Sequence, residues 1–151
     1  MSDLGGPIGM AESHAKFDRY SATYAEYGFS RWTVESRDGA FLGYAGVMPR
    51  LSSQHPLGPH YEVGWRLTRA AWGKGIATES ALAALDDVFQ RTGLDEILSY
   101  TGVHNVRSQA VMVRLGLRRD MPRDFIVEDE RLGTWQGMVW VAERTHSRWS
   151  C

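Results

Sequence analysis

Aromatic residues at Phe17, Tyr20, Tyr24 and Tyr27 fall three or four positions apart, a spacing that places them on one face of an α-helix, and Gly28 stands where that helix would stop. Trp32 and Val34 then alternate with Thr33 and Glu35, and Arg37-Asp38-Gly39 turns the chain into an apolar run from Phe41 to Met48, which predicts a β-hairpin. Pro49, Pro56 and Pro59 mark a surface loop. From His60 to Leu67 the alternation is clean: Tyr61, Val63, Trp65 and Leu67 share one face of a strand, and Glu62, Gly64 and Arg66 share the other. The longest helix spans about Lys74 to Arg91, with Ile76, Ala77, Ala81, Leu85, Val88 and Phe89 at helical spacing and Gly93 closing it. A short buried strand from Ile97 to Thr101, an N-cap at Asn105, a helix from Val106 to Leu115 and a stop at Gly116 follow. Two strands, around Phe125 to Val127 and Thr134 to Ala142, end the pattern. Helix, hairpin, strand, helix, strand, helix and two strands together predict an α/β (α+β) fold with a mixed sheet and helices on its faces.

The 151 residues, 43% hydrophobic and 23% charged, suffice for one packed core. We divide the chain into an N-terminal loop or tail at 1–10, a domain at 11–145 and a C-terminal tail at 146–151. Seventeen basic against eighteen acidic residues give a formal charge of −1, which disfavours a surface that tracks nucleic-acid phosphates. Only Lys16 and Lys74 are lysines, so fifteen of the seventeen basic residues are arginines, suited to bidentate pairing with carboxylates or phosphates. The single cysteine, Cys151, offers no internal disulfide or buried thiol nucleophile. Neither a signal-peptide pattern nor an apolar run of membrane-spanning length is present, and a cytoplasmic location without membrane attachment is the expectation.

The chemistry gathers between Trp65 and Thr78. A strand leads through Arg69-Ala70-Ala71-Trp72-Gly73-Lys74-Gly75-Ile76-Ala77-Thr78 into the longest helix. Glycines at a helix entrance let a ligand approach the backbone closely, and the outward N–H groups with the helix dipole form an anion cradle. The nucleotide P-loop pattern is absent, since Gly75 follows Gly73-Lys74 in place of Ser or Thr. A glycine-rich turn with no ligand is the alternative reading of this motif taken alone.

The runs Tyr61-Glu62-Val63-Gly64-Trp65-Arg66-Leu67, Trp72-Gly73-Lys74-Gly75-Ile76-Ala77-Thr78-Glu79 and Asn105-Val106-Arg107-Ser108, with Leu115-Gly116-Leu117, resemble the GNAT superfamily of acyl-CoA N-acyltransferases. The resemblance covers about residues 11–145 and looks closest to the branch of ribosomal-protein N-terminal acetyltransferases. It implies a mostly antiparallel sheet splayed between two central strands, with acetyl-CoA as cosubstrate and no metal. The residues matching Trp72, Gly73, Lys74, Gly75, Ile76, Ala77 and Thr78 would wrap the coenzyme A pyrophosphate, and Leu67, Asn105 and Ser108 would lie beside the pantetheine arm and thioester. Two departures stand out: Trp72 replaces the commoner Gln or Arg at the start of the cradle, and the family's opening strand and helix have no counterpart before Phe17, as in a short form or a truncation.

Acetyl transfer to an amine needs a proton acceptor, a place for charge on the carbonyl oxygen and a proton for the departing thiolate. Glu62, with Gly64 leaving room beside it, is the candidate base, acting through water; its alternative is a solvated carboxylate paired with Arg66. An α-amine near pKa 8 costs about 1.4 kcal/mol to deprotonate at pH 7 and a lysine about 4.6 kcal/mol, so a modest base suits the former. Ser108 is the candidate partner of the thiolate, Asn105 a cap that could also touch pantetheine, and a backbone N–H near Leu67 the candidate oxyanion donor. His55 and His60 flank a proline loop without metal-ligand spacing and read as surface residues, and His104 as a neighbour of the cap. The Phe17, Tyr20, Tyr24, Tyr27 stripe reads first as a core face, with a role in an acceptor pocket as the alternative. The expected partner is a small-molecule amine or a protein N-terminus, and a homodimer is compatible with the sequence. A non-catalytic acyl-CoA-binding module is the rival reading, and detoxification of an antibiotic or polyamine a third, which an acidic pocket would favour.

Overall fold

The computed structural model describes residues 10–131 and 133–145. Apart from Met10, the expected N-terminal tail lies outside the described residues, as does the C-terminal tail from residue 146. The elements in chain order are α1 (Met10–Tyr27), β1 (Arg31–Glu35), β2 (Phe41–Arg50), β3 (His60–Leu67), α2 (Ile76–Arg91), β4 (Glu96–Gly102), α3 (Val106–Arg114), β5 (Arg118–Arg119), β6 (Phe125–Asp129) and β7 (Gly133–Glu143). They form one sheet in the order β1-β2-β3-β4-β7-β5, with β6 also on β7. Every pairing is antiparallel except that of β3 with β4, the mixed topology expected from the order of elements. The two-residue β5 is absent from the expected set because so short a strand carries no alternation to read.

Alternation along β3 sorts the sheet into two faces. Val63 joins Val47 of β2 and Ile97 of β4 against Ala81, Ala84, Leu85, Val88 and Phe89 of α2, with Val111 and Met112 of α3 completing the core. The opposite face carries Glu62, with Met48 and Leu98 as its cross-strand neighbours. There α1 touches the sheet through Tyr20, whose ring meets Tyr44 at 5.3 Å.

The aromatic stripe of α1 is only in part a core face. Tyr20 is 8% exposed and Tyr27 packs against the core, whereas Phe17 and Tyr24 are 56% and 53% exposed. Residues seven apart lie nearly above one another on a helix, so the stripe is two lines, Tyr20 with Tyr27 and Phe17 with Tyr24. Only the first faces the protein. The end of α2 also differs from expectation: Thr92 closes it, its N–H and hydroxyl both donating to the Val88 carbonyl, and Gly93 does not take a left-handed conformation. At the other end of α2, left-handed Gly73 and Gly75 hold Lys74 out of the helix, which begins at Ile76.

Candidate active site

Two adjacent strands make the site by failing to stay paired. β3 and β4 register at a single position, Glu62 opposite Leu98, and just beyond it the Ser99 hydroxyl donates to the Val63 carbonyl at 2.9 Å. Past that clasp the strands diverge. Trp65, Arg66 and Leu67 line one side of the opening and Thr101, Gly102 and Val103 the other, and the N-terminus of α3 sits at its end. This is the splay expected between Glu62–Leu67 and the following strand.

The opening is part of a cavity of about 1460 Å³ that reaches the entrance of α2. Gly73 (φ +74°) and Gly75 (φ +76°) both occupy the left-handed region there, and a Cβ at either would meet no protein atom within 4 Å. Their backbone therefore faces open space, and any other residue would be strained. Thr78 turns into the same cavity with a buried hydroxyl that has no hydrogen-bond partner. Trp72 is fixed by its indole N–H, which donates to the Leu67 carbonyl at 3.3 Å, and the guanidinium groups of Arg107 and Arg69 lie 4.4 and 5.3 Å from its ring. Helix dipole, outward backbone amides and two nearby cations all favour an anion at this end. Leu67, Trp72, Gly73, Gly75, Ile76, Ala77, Thr78, Asn105 and Ser108 all line the cavity; Lys74 projects into solvent from the tip of the turn.

Asn105 and Ser108 also border a second, smaller cavity. Asn105 caps α3, its side-chain carbonyl accepting from the Ser108 N–H at 3.2 Å, while the Ser108 hydroxyl accepts from the Trp65 indole N–H at 3.3 Å. Both residues, with Trp65, Thr101 and Trp135, belong to the walls of both cavities. The smaller one, about 260 Å³, extends past Gly64 to Glu62, Tyr100 and Arg31 on the opposite face of the sheet. Two compartments thus meet at Ser108, a roomy one with an anion cradle and a tight polar one.

Glu62 is not paired with Arg66. Its Oε1 accepts from Arg50 Nε of β2 at 3.0 Å and forms an ion pair with the Arg31 terminal nitrogen of β1 at 3.1 Å, and its side chain is 12% exposed. Gly64 makes this possible, because a Cβ there would fall 2.3 Å from Arg31. His55 and His60 are likewise not plain surface residues: His60 is 8% exposed, and both imidazoles approach the Tyr100 hydroxyl. Burial and Glu62 push the Tyr100 phenol up from its ordinary range, and burial with the neighbouring His60 lowers His55. Sequence reading missed Arg31, Arg50 and Tyr100, which no local motif marks. Among the described residues no group of three His, Cys, Asp or Glu converges as metal ligands, and no helix is long and apolar enough to cross a membrane.

Comparison with known proteins agrees with this geometry. Residues 3–118 match the family model described as "Acetyltransferase (GNAT) domain". A curated relative, FsC-acetyl coenzyme A-N(2)-transacetylase of Aspergillus fumigatus, is 29% identical over 137 residues, covering 81% of this chain and 58% of that protein. The chain thus spans somewhat over half the length of that relative. Among solved structures, a GNAT-family acetyltransferase described as putative, from Bordetella pertussis, superposes with a TM-score of 0.74 at 18% identity, covering 93% of this chain and 81% of that one. The ribosomal-protein-S5-alanine acetyltransferase of Vibrio fischeri gives 0.72 at 15% identity, covering 93% and 74%. With a family model matched over most of the chain, and a splayed sheet whose opening leads to a glycine-lined helix entrance, the protein belongs to the GNAT acetyltransferase family.

Proposed function

We propose that the protein is an acetyl-CoA-dependent N-acetyltransferase that transfers acetyl directly to a primary amine in a ternary complex. The observation that carries this reading is the meeting of the two cavities at Ser108 inside the β3–β4 opening. The large cavity suits the coenzyme, with the pyrophosphate on the backbone amides from Trp72 to Thr78 and the Thr78 hydroxyl as a further donor. Bound there, acetyl-CoA supplies an activated acyl group and a thiolate leaving group. Asn105 lies along the pantetheine arm, Ser108 donates to the sulfur as it leaves, and a backbone N–H near Leu67 meets the carbonyl oxygen. The amine enters from the small cavity, where Glu62 draws the ammonium in and receives its proton through water. The acceptor is a small-molecule amine or a protein N-terminus. Arg31 and Arg50 flank the one carboxylate of this compartment, so the wall is not acidic, which disfavours a polyamine.

One observation favours a second reading. Oε1 of Glu62 is already paired with two guanidinium groups, which suits a structural ion cluster and hence a non-catalytic acyl-CoA-binding module. Thiol release from acetyl-CoA with and without a panel of amines and N-terminal peptides separates the two. Amine-dependent release is the expected result; calorimetric binding of the coenzyme with no release from any panel member would overturn the transferase reading.

A further inference from the structure

The smaller cavity ends on a hydrogen-bond chain whose direction the backbone fixes. His60 Nδ1 lies 2.7 Å from the Gly58 carbonyl, which only accepts, so this nitrogen carries the hydrogen. In the neutral ring His60 Nε2 is then a lone pair, and it stands 3.0 Å from the Tyr100 hydroxyl, which must donate to it. His55 is the mirror case. The Leu57 N–H donates to its Nδ1 at 3.0 Å, so its Nε2 carries the hydrogen and donates to the Tyr100 oxygen at 3.3 Å. The chain runs from His55 to Tyr100 to His60, and each member is satisfied only while both rings are neutral.

We propose that Tyr100 and His60 form a proton relay serving this cavity, with His60 the final holder of the proton that the acceptor's ammonium loses and His55 the residue that orients the Tyr100 oxygen. This rests on the transferase reading above, in which the proton first moves toward Glu62. In the relay step the Tyr100 oxygen takes a proton from the ammonium, directly or by way of the Glu62 water, as its own hydrogen passes to His60 Nε2. On the direct route one N–H and one O–H bond break and one O–H and one N–H bond form; the water, where it intervenes, gains one O–H bond and loses another, and in either case a single positive charge moves from the amine to the imidazole. After the amide product departs, the proton returns through the same hydroxyl to water.

Geometry favours this destination: His60 Nε2 presents its lone pair to the Tyr100 hydroxyl, whereas Glu62 Oε1 is already engaged by Arg50 and Arg31. Tyr100 suits a relay because it stays a phenol: its pKa is raised by burial and by Glu62, against the opposing pull of Arg50 and Arg31. The charged and titratable groups facing the pair of rings are Arg50 from β2, Glu62 from β3 and Tyr100 from β4, and Phe125 of β6 closes the cluster with its ring 5.6 Å from His55. His55 is partly exposed on the loop and His60 is buried.

The experiment uses the full chain and has two arms. Imidazole nitrogen NMR at neutral pH is expected to show His60 protonated at Nδ1 and His55 at Nε2, and the opposite tautomer at His60 would overturn the relay whether or not turnover is seen. In the second arm Tyr100→Phe, which keeps the ring packing, is expected to lower kcat for amine-dependent thiol release about a hundredfold while leaving the KM for acetyl-CoA unchanged. His60→Gln keeps a donor for Gly58 and an acceptor for Tyr100 but holds no extra proton; it is expected to lower kcat as Tyr100→Phe does, again with the KM for acetyl-CoA unchanged. Wild-type kcat in both variants would overturn the relay. No release from wild-type protein with any acceptor would overturn the transferase reading instead, leaving the tautomer arm to decide the hydrogen-bond chain.

Discussion

The anion cradle and the polar layer behind it lie on either side of one opening in the sheet, yet they are built on opposite plans. The cradle is a continuous run, Trp72 to Thr78, whose proposed binding role rests mainly on its backbone: two left-handed glycines, a helix N-terminus and one unpartnered hydroxyl. The polar layer is made mainly of side chains, with Arg31, Arg50, Glu62 and Tyr100 each contributed by a different strand and His60 tied to Tyr100 across 40 positions of sequence. A backbone site tolerates change in most of its side chains and fails when its φ angles change. A side-chain cluster with shared partners fails when any charge is left alone.

The largest expected effect tests the second half of that contrast. Glu62→Gln removes the carboxylate that compensates a largely buried Arg31 and a partly exposed Arg50; breaking a fully buried pair on one side costs about 3 kcal/mol, and solvent around Arg50 brings the expected loss below that value. Urea unfolding should show that loss, and turnover should fall with it, while calorimetric acetyl-CoA affinity at a temperature where the variant is folded should remain that of the wild type. Unchanged stability would mean that the Arg31–Glu62–Arg50 cluster is energetically idle.

Gly75→Val is the complementary break. A Cβ at position 75 meets no protein atom, so the damage is confined to φ +76°, where a non-glycine residue is strained by about 1–2 kcal/mol, and to the space the ligand needs. Acetyl-CoA affinity should drop at least about tenfold, equivalent to about 1.4 kcal/mol, in a protein that still folds. Full coenzyme affinity in this variant would remove the glycine turn from the binding role.

These two plans also explain what the sequence could and could not reveal. The cradle was legible because its chemistry is local: Gly73, Gly75 and the helix that follows are contiguous, and the Asn105 cap three residues before Ser108 is a short-range pattern that the structure bears out. The face of β3 that bears Glu62 followed from period-two alternation. Its partners did not, because cross-strand neighbours depend on register. Arg50 reaches Glu62 from a position opposite His60, and Arg31 enters over Gly64 from two strands away, so the alternative reading of Glu62, a pairing with Arg66 along one strand, names the wrong arginine. His60 looked like a surface residue of a proline loop for the same reason. Its partner Tyr100 is 40 positions away. In α1 the failure was angular: a stripe at three- and four-residue spacing is wide enough to hold two lines, and only packing decides that Tyr20 is covered and Tyr24 is not.

Asn105 belongs to both regions, and Asn105→Ala sharpens the boundary between them. Loss of the cap on the Ser108 N–H should cost about 1 kcal/mol in thermal or urea unfolding. Because the side chain borders both cavities, coenzyme affinity and turnover should each fall by a smaller factor than in Gly75→Val and Glu62→Gln respectively. A variant that lost only stability would confine Asn105 to capping.

The smallest expected effect is a slope with pH, and it belongs to the polar layer alone. His55 is held below its ordinary value of 6.5 by burial and by His60, so between that value and its lower folded one the unfolded chain binds more protons than the native protein. Its contribution to stability is therefore complete above about pH 6.5 and shrinks as the pH falls below it. Melting temperatures taken between pH 7.5 and about 5 should decline, and His55→Gln should flatten part of that decline while leaving coenzyme affinity, which we propose to reside in the Trp72–Thr78 backbone, unchanged. A slope identical in the variant would mean that the neutral state of His55 is not what the hydrogen bonds around Tyr100 depend on, and that the chain of donors is ordered by His60 and Gly58 alone.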